Sequence, residues 1–429
     1  MLTKQNKIHF EFEKVLWNVS VLSILLLLIF ARNFTGLLVL DFRIGEILVG
    51  AGLIIFLSGF YLFKNEEKIK PLLILNSLIV LFFFIKNVFD GANIFELYLY
   101  KSSSFIWTIS YLYLGYLLGK NQKITQKNLI GFNLALILSY ILGVVYYPQN
   151  IQEYFLIYSD KFEFNKAHMY VLVFVITTFI NKLYIKSNIN LISIFLIYSS
   201  VFYPLFIFKS RGAFLAVFVY TLFYLYEFRK VIFTNLKVIL ILLPICLILF
   251  IFSSFLVSGS EVSIDDTQFI VSEIIGNKNT ADTFLSLYIE EGRFYSTDGN
   301  INWRLQIWQD VINNSIKNDL YIFGFGFQEI LPAMDDPSRK GYDGSNENVH
   351  NYFINIYGRG GIVLLIAFLI FYITLVNINR RDLGLFVIPI LIVSTFDGSM
   401  ENPHFPIVFY FFIGYFLNIF KNYSEVKES

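Results

Sequence analysis

Residues 237–257 read KVILILLPICLILFIFSSFLV, with one charge at the first position and none again until Glu261. At about 1.5 Å per residue, such a run makes a helix about 30 Å long, the thickness of a bilayer's hydrocarbon core. It has no polar stripe to turn towards water, so it is not an amphipathic surface helix. Similar runs lie on both sides. Before it are 15–31, 44–63, 71–89, 103–119, 127–147, 167–183, 188–208 and 212–228; after it are 351–376, 382–396 and 404–420. The expectation is an all-α integral membrane protein, one polytopic domain over residues 1–429, with about 12 transmembrane helices. The segment 382–396 is short enough to be re-entrant instead. Composition agrees: 56% of residues are hydrophobic and 19% aromatic, more than a soluble surface accommodates.

Charge placement sets an orientation. Lys4, Lys7 and Lys14 precede the first run, and alternate loops carry Lys64/Lys68/Lys70, Lys120/Lys123/Lys127, Lys182/Lys186, Arg229/Lys230/Lys237, Arg380/Arg381 and Lys421/Lys427. With twelve spans these all fall on one side, which the bias of Lys and Arg towards the cytoplasm makes the inner one. Both termini are then cytoplasmic. The outer side receives 31–43, 148–166, the Lys209-Ser210-Arg211 link, 257–350 and 397–403. Ala31-Arg32-Asn33 is a poor cleavage site, so the first run reads as a retained helix.

The loop at 257–350, between spans nine and ten, is the one polar island in the chain. Its first half, Ser258 to Asn300, has the composition of a lid. From Ile301 to Lys317 the spacing of Leu305, Trp308, Ile312 and Ile316 predicts an amphipathic helix buried along that face. A shorter helix is expected around Phe327–Met334, with Gly324 and Gly326 forming the turn before it.

The outer side also holds the residue types that could carry chemistry. Arg211 and Lys209 sit in a hairpin with almost no loop, close to hydrocarbon. An Arg there either binds an anion or snorkels to water. Arg304 opens the amphipathic helix, either as a bidentate phosphate ligand or as a solvated charge. His350 ends the island, where imidazole can take a proton from a hydroxyl or simply bond a backbone carbonyl. Asn351 and Asn355, four residues apart, share a helix face beside it. His168, His404 and Glu401 are rivals for the role of base. The adjacent pairs Asp265-Asp266 and Asp335-Asp336, and four dispersed His residues, do not have metal-site spacing. Cys246 is alone, and no P-loop or Gly-x-Gly-x-x-Gly is present, so no metal, cofactor or nucleic-acid partner is expected.

Taken in order, Ser210-Arg211-Gly212-Ala213, Arg304 with Ile307-Trp308, Gly324-Phe325-Gly326, and His350-Asn351-Tyr352 leading to Gly361-Ile362 form a pattern. It resembles the O-antigen ligase and O-antigen polymerase superfamily, bacterial membrane glycosyltransferases of the Wzy and WaaL type. The resemblance is strongest over about 160–375, and Asn165-Lys166-Ala167-His168 loosely extends it. The chain departs from the pattern at Arg359, where the family usually has an acid, at Leu364 in place of a small residue, and at Tyr321 in place of a proline.

The resemblance implies a GT-C-like helical fold in the bacterial plasma (inner) membrane. It also implies glycan transfer from undecaprenyl diphosphate on the outer face, without a nucleotide sugar or divalent metal. Arg211 and Arg304 would then hold the diphosphate and His350 would activate the acceptor hydroxyl, with Trp303 and Tyr352 packing on sugars. The partners implied are a lipid-linked oligosaccharide, the bilayer, a flippase and a chain-length regulator. A repeat-unit polymerase is the leading expectation. A ligase acting on lipid A core or a protein comes second, and a lipid-oligosaccharide flippase third.

Overall fold

The structure, a computed structural model, describes residues 4–67, 69–259, 287–340 and 346–428. It is nearly all helical, as the apolar runs require, because backbone polar groups in hydrocarbon must be satisfied within each segment. Among the described residues, eight helices are long and apolar enough to cross a membrane. In chain order the first four are α1 (Lys4–Thr35, apolar over Glu13–Thr35), α2 (Ile44–Phe63), α3 (Lys70–Phe89) and a helix spanning Gln126–Val145. The others are Ala167–Tyr184, Asn188–Lys209, Leu236–Ser258 and Tyr352–Ile378.

The other four expected spans also land on helical segments, each departing from a simple span. Residues 103–119 break into Ser104–Trp107, a 3-10 turn at Thr108–Ser110 and Tyr111–Asn121. Residues 212–228 lie in the longer, less apolar helix Arg211–Thr234. Asp382–Thr395 has 14 residues, about 21 Å, and His404–Ile419 is also short. Helices inside a bundle need not match the bilayer as lipid-facing ones do, and nearly every residue of His404–Leu417 is buried. Leu236–Ser258 is the opposite case, with 17% of its most apolar window buried and its flanks free for lipid.

The loops sort into the two ends that the charge pattern separates. At one end Lys182 bonds Glu227 at 2.7 Å and Asp382 at 2.8 Å, and Arg381 reaches Glu227 at 2.6 Å. At the other, Arg32 and Arg43 meet Asp160 at 2.6 and 3.3 Å, and Lys101 meets Glu347 at 2.9 Å. That second end includes the link at 90–103, which the expected outer loops left out.

The island folds around a small core of its own, made by Ile307, Val311, Leu331, Ala333, Met334 and Val349. Its main helix is Gly299–Lys317, whose first turn is capped by the Asp298 carboxylate accepting from Ile301 N at 3.0 Å. The buried face corrects the expectation: Ile307, Val311 and Ser315 point inward, while Ile312 and Ile316 are exposed. An all-apolar stripe at steps of three and four marked the wrong face because Ser315 satisfies its hydroxyl inside, bonding Tyr357 at 2.7 Å.

The helix expected at Phe327–Met334 is also absent, leaving a single 3-10 turn at Pro332–Met334. Pro332 forces Leu331 into extended geometry (φ −59°, ψ 133°), which ends any helix there. The lid expected in Ser258–Asn300 lies largely outside the described residues. Its described part is an antiparallel hairpin, Leu287–Glu290 with Arg293–Ser296, leading to the Asp298 cap.

The Gly324-Phe325-Gly326 turn has a structural task. The helix Tyr352–Ile378 breaks at Gly361 (φ 63°), and the freed N–H groups of Ile362 and Val363 bond the carbonyls of Tyr321 and Ile322 at 2.9 and 3.3 Å. A Cβ at Gly361 would stand 2.2 Å from Ile322 O, so contact and conformation both demand glycine. Phe325 N and Gly326 N return the contact to Gly358 O and Arg359 O at 2.8 and 2.9 Å. The island is thus stitched to the membrane helix that carries His350 at its start.

Candidate active site

Three residues far apart in sequence meet at the end of the bundle that carries the island. His168, in the first turn of Ala167–Tyr184, places Nδ1 2.7 Å from Asp397 Oδ2. His350 Nδ1 lies 3.8 Å from the other oxygen, Asp397 Oδ1. Burial opposes ionisation of Asp397, but the facing imidazoles of His168 and His350 outweigh it and hold the carboxyl well below its usual range. The site is therefore a fixed carboxylate between two imidazoles. His168 is 3% exposed and His350 19%, so His350 is the one a solute reaches.

Local structure explains the position of His350. Its φ of 55° is left-handed, a conformation costing a non-glycine residue about 1–2 kcal/mol. The residues on either side hold it there. Val349 is buried in the island core and its carbonyl accepts from Trp308 Nε1 at 2.8 Å, while Tyr352 is buried in the bundle. Trp303 packs beside the imidazole, ring centroids 5.1 Å apart. His350, His168, His404 and Trp303 share the wall of a polar cavity of about 880 Å³.

A second cavity, of about 440 Å³, lies across the Asp397 turn and is lined by Lys209, Arg211 and Arg304. Ser210 is extended (φ −162°) and ends one helix. Its hydroxyl starts the next by accepting from Ala213 N at 3.3 Å, which fixes Arg211 at the new N-terminus. A Cβ at Gly212 would lie 2.6 Å from the Phe396 side chain, so glycine lets this helix approach the turn. Arg304 donates to Phe396 O, one residue before Asp397. Arg211 pairs with Asp298 at 3.1 Å. The backbone N–H of Ile301 and the Arg211 guanidinium hold that carboxyl below its ordinary value. Apolar groups such as Ile207, Phe208 and Leu215 complete the wall, giving cations beside a greasy surface.

The sequence-expected residues thus divide. Arg211, Arg304 and Lys209 share one cavity; His350, His168 and Trp303 share the next. Asn355 and Glu401 line a third, and Asn351 serves as a helix cap, its side chain accepting from Ile354 N at 3.1 Å. Tyr352 does not reach a sugar. It is fully buried, bonding Tyr372 Oη at 2.9 Å, because its position at the helix start faces the bundle interior. Asp397 was missed, although it shares the seven-residue loop 397–403, between two apolar runs, with Glu401, which was singled out.

Burial pushes the Glu401 carboxyl up to about 8, despite nearby Arg359. Between its ordinary value near 4.5 and that of the fold, the folded state holds a proton that the unfolded chain has lost. Stability therefore falls as pH rises from about 4.5 to about 8 and then levels off. Glu401→Gln should remove that slope, raising the thermal midpoint in detergent more at pH 9 than at pH 5. Equal midpoint shifts at both pH values would assign the slope to another group.

With this geometry in place, one comparison bears on the chain's family. Residues 194–369 match the O-antigen ligase family model. The match supports the O-antigen ligase and polymerase superfamily, whose members are glycosyltransferase-like enzymes. The O-antigen ligase segment contains Lys209, Arg211, Arg304 and His350, whereas His168, Asp397 and Glu401 lie outside it. Comparison with curated proteins finds no match.

Proposed function

We propose that this protein is a repeat-unit polymerase of the outer face of the bacterial plasma membrane. It moves a growing glycan from undecaprenyl diphosphate to the next lipid-linked unit. The observation that carries the reading is the placement of the cationic, half-apolar Lys209/Arg211/Arg304 cavity next to the His168–Asp397–His350 cluster. An amphiphilic anion fits the first, and an activated hydroxyl fits the second.

In the reaction, His350 takes the proton of the acceptor hydroxyl as its oxygen bonds the donor's anomeric carbon. The glycosidic C–O bond to the diphosphate breaks, and the electron pair leaves with the phosphate oxygen. Arg211 and Arg304 stabilise the charge growing there, so the leaving group needs no metal or protonation. Asp397 orients the imidazole and stabilises its cation, while His168 fixes Asp397. The basic end of the bundle, with both chain termini, faces the cytoplasm.

A deletion strain tests the assignment. Loss of a polymerase leaves single repeat units on the final acceptor. Long chains accumulating on the carrier lipid would instead make the protein a ligase, and lipid-linked repeats trapped on the cytoplasmic side would make it a flippase.

A further inference from the structure

A third cavity, of about 560 Å³, opens where α2 meets the outer end of the bundle. One wall is apolar, from Ile47, Val49 and Leu53 of α2. The other carries Arg32, Arg43, Lys101 and Arg359 against the carboxyls of Glu46, Glu347 and Glu401.

Arg359 is the informative member. It is 4% exposed, donates to the carbonyls of Gly326 and Glu329, and faces the Tyr98 hydroxyl. Among the described residues no carboxylate forms an ion pair with it, and its Nε has no partner. Glu401, close enough to feel its charge, also leaves Oε1 buried without a partner and stays protonated at neutral pH. A buried guanidinium without a counter-charge is costly, and an incoming anion relieves that cost. Arg43 and Lys101 stand at the same wall, each held by a partly buried acid, Asp160 and Glu347, at 3.3 and 2.9 Å.

This cavity and the polar one containing His350 share Arg32, Arg43, Lys101, Glu347, Asn348 and Asn402, so they adjoin. The Lys209/Arg211/Arg304 cavity shares none of its lining with either and lies across the Phe396–Asp397 turn. The imidazoles therefore stand between two separate, half-apolar, cationic chambers. Transfer between two lipid-linked substrates requires two such chambers with the base between them.

We propose that the α2 cavity binds the diphosphate of the acceptor lipid, against Arg43, Lys101 and Arg359. Its chain lies along α2 and its terminal sugar reaches through the shared wall to His350. This rests on the polymerase reading, with Arg211 and Arg304 holding the donor.

The test uses the full chain in detergent micelles, with a polyprenyl diphosphate as probe and native mass spectrometry counting bound lipids. Two molecules per chain are expected. The double variant R43Q/K101Q should bind one, as should R211A, each losing a different site. Arg359→Gln is less suitable because the guanidinium also ties the 326–329 loop. In a reconstituted reaction, R43Q/K101Q should raise the acceptor KM about 10–100-fold, as loss of charge-assisted contacts does, with the donor KM unchanged. Two lipids still bound to R43Q/K101Q with an unchanged acceptor KM would overturn the proposal, as would a single lipid bound to the unaltered chain. If R43Q/K101Q loses one lipid while R211A keeps both, the α2 site stands and the donor assignment fails.

Discussion

Asp397→Asn is expected to lower the turnover of glycan transfer by about 10²–10⁴-fold, the share that positioned acid–base groups contribute. The carboxylate bonds His168 at 2.7 Å and faces His350 at 3.8 Å, so it is the common support of both imidazoles. An amide keeps the shape but removes the charge that stabilises an imidazolium, and it can turn a donor towards a ring nitrogen that itself needs to donate. Asp397 acts through His350, so the loss should appear in kcat, with polyprenyl-diphosphate binding retained. Asp397→Glu should restore part of the rate. His350→Ala should cost a similar factor, and the double variant little more than either single one, as for residues acting as a unit. Multiplicative losses in the double variant, or full activity of Asp397→Asn, would remove Asp397 from the mechanism.

Arg304→Ala and Arg211→Ala should each reduce transfer by about 10²–10³-fold, the usual effect of deleting one group that stabilises developing negative charge. Arg304 also donates to Phe396 O, so its loss loosens the turn carrying Asp397. Arg211→Ala leaves Asp298 without its 3.1 Å partner and turns that corner of the cavity towards negative charge. Lysine at position 304 should recover little, since a point charge cannot both hold the carbonyl and fork towards a diphosphate. The measurement is single-turnover transfer by purified variants at matched protein level. If both Ala variants transfer at the wild-type rate, the arginines are surface charges and the donor lies elsewhere.

Arg304 stood out because it opens an amphipathic helix, and Arg211 and His350 because each sits where a polar segment joins an apolar run. Such a junction is a property of a few contiguous residues. Lys209 belonged to the same reading, and all of these line the cavities beside Asp397. Tyr352 was misread for an equally local reason. An aromatic at a helix start belongs as readily to the interface as to the core, and the choice depends on helix rotation, which only its contacts with Tyr372 and Phe368 settle. The buried face of Gly299–Lys317 was misassigned in the same way, because Ser315 hides inside and Ile316 does not.

The sequence by itself determined that this is an all-α membrane protein with two chemically distinct ends and one folded polar island. Hydropathy and Lys/Arg bias are sums over neighbouring residues, and lipid allows few other answers. Tertiary structure alone decided the pairing of His168 with Asp397, 229 positions apart, and the walls of the α2 cavity. It also decided the seam joining Gly324 and Gly361. These depend on which helices pack together and at what rotation, and a buried charge reveals its role only when its neighbours are in place.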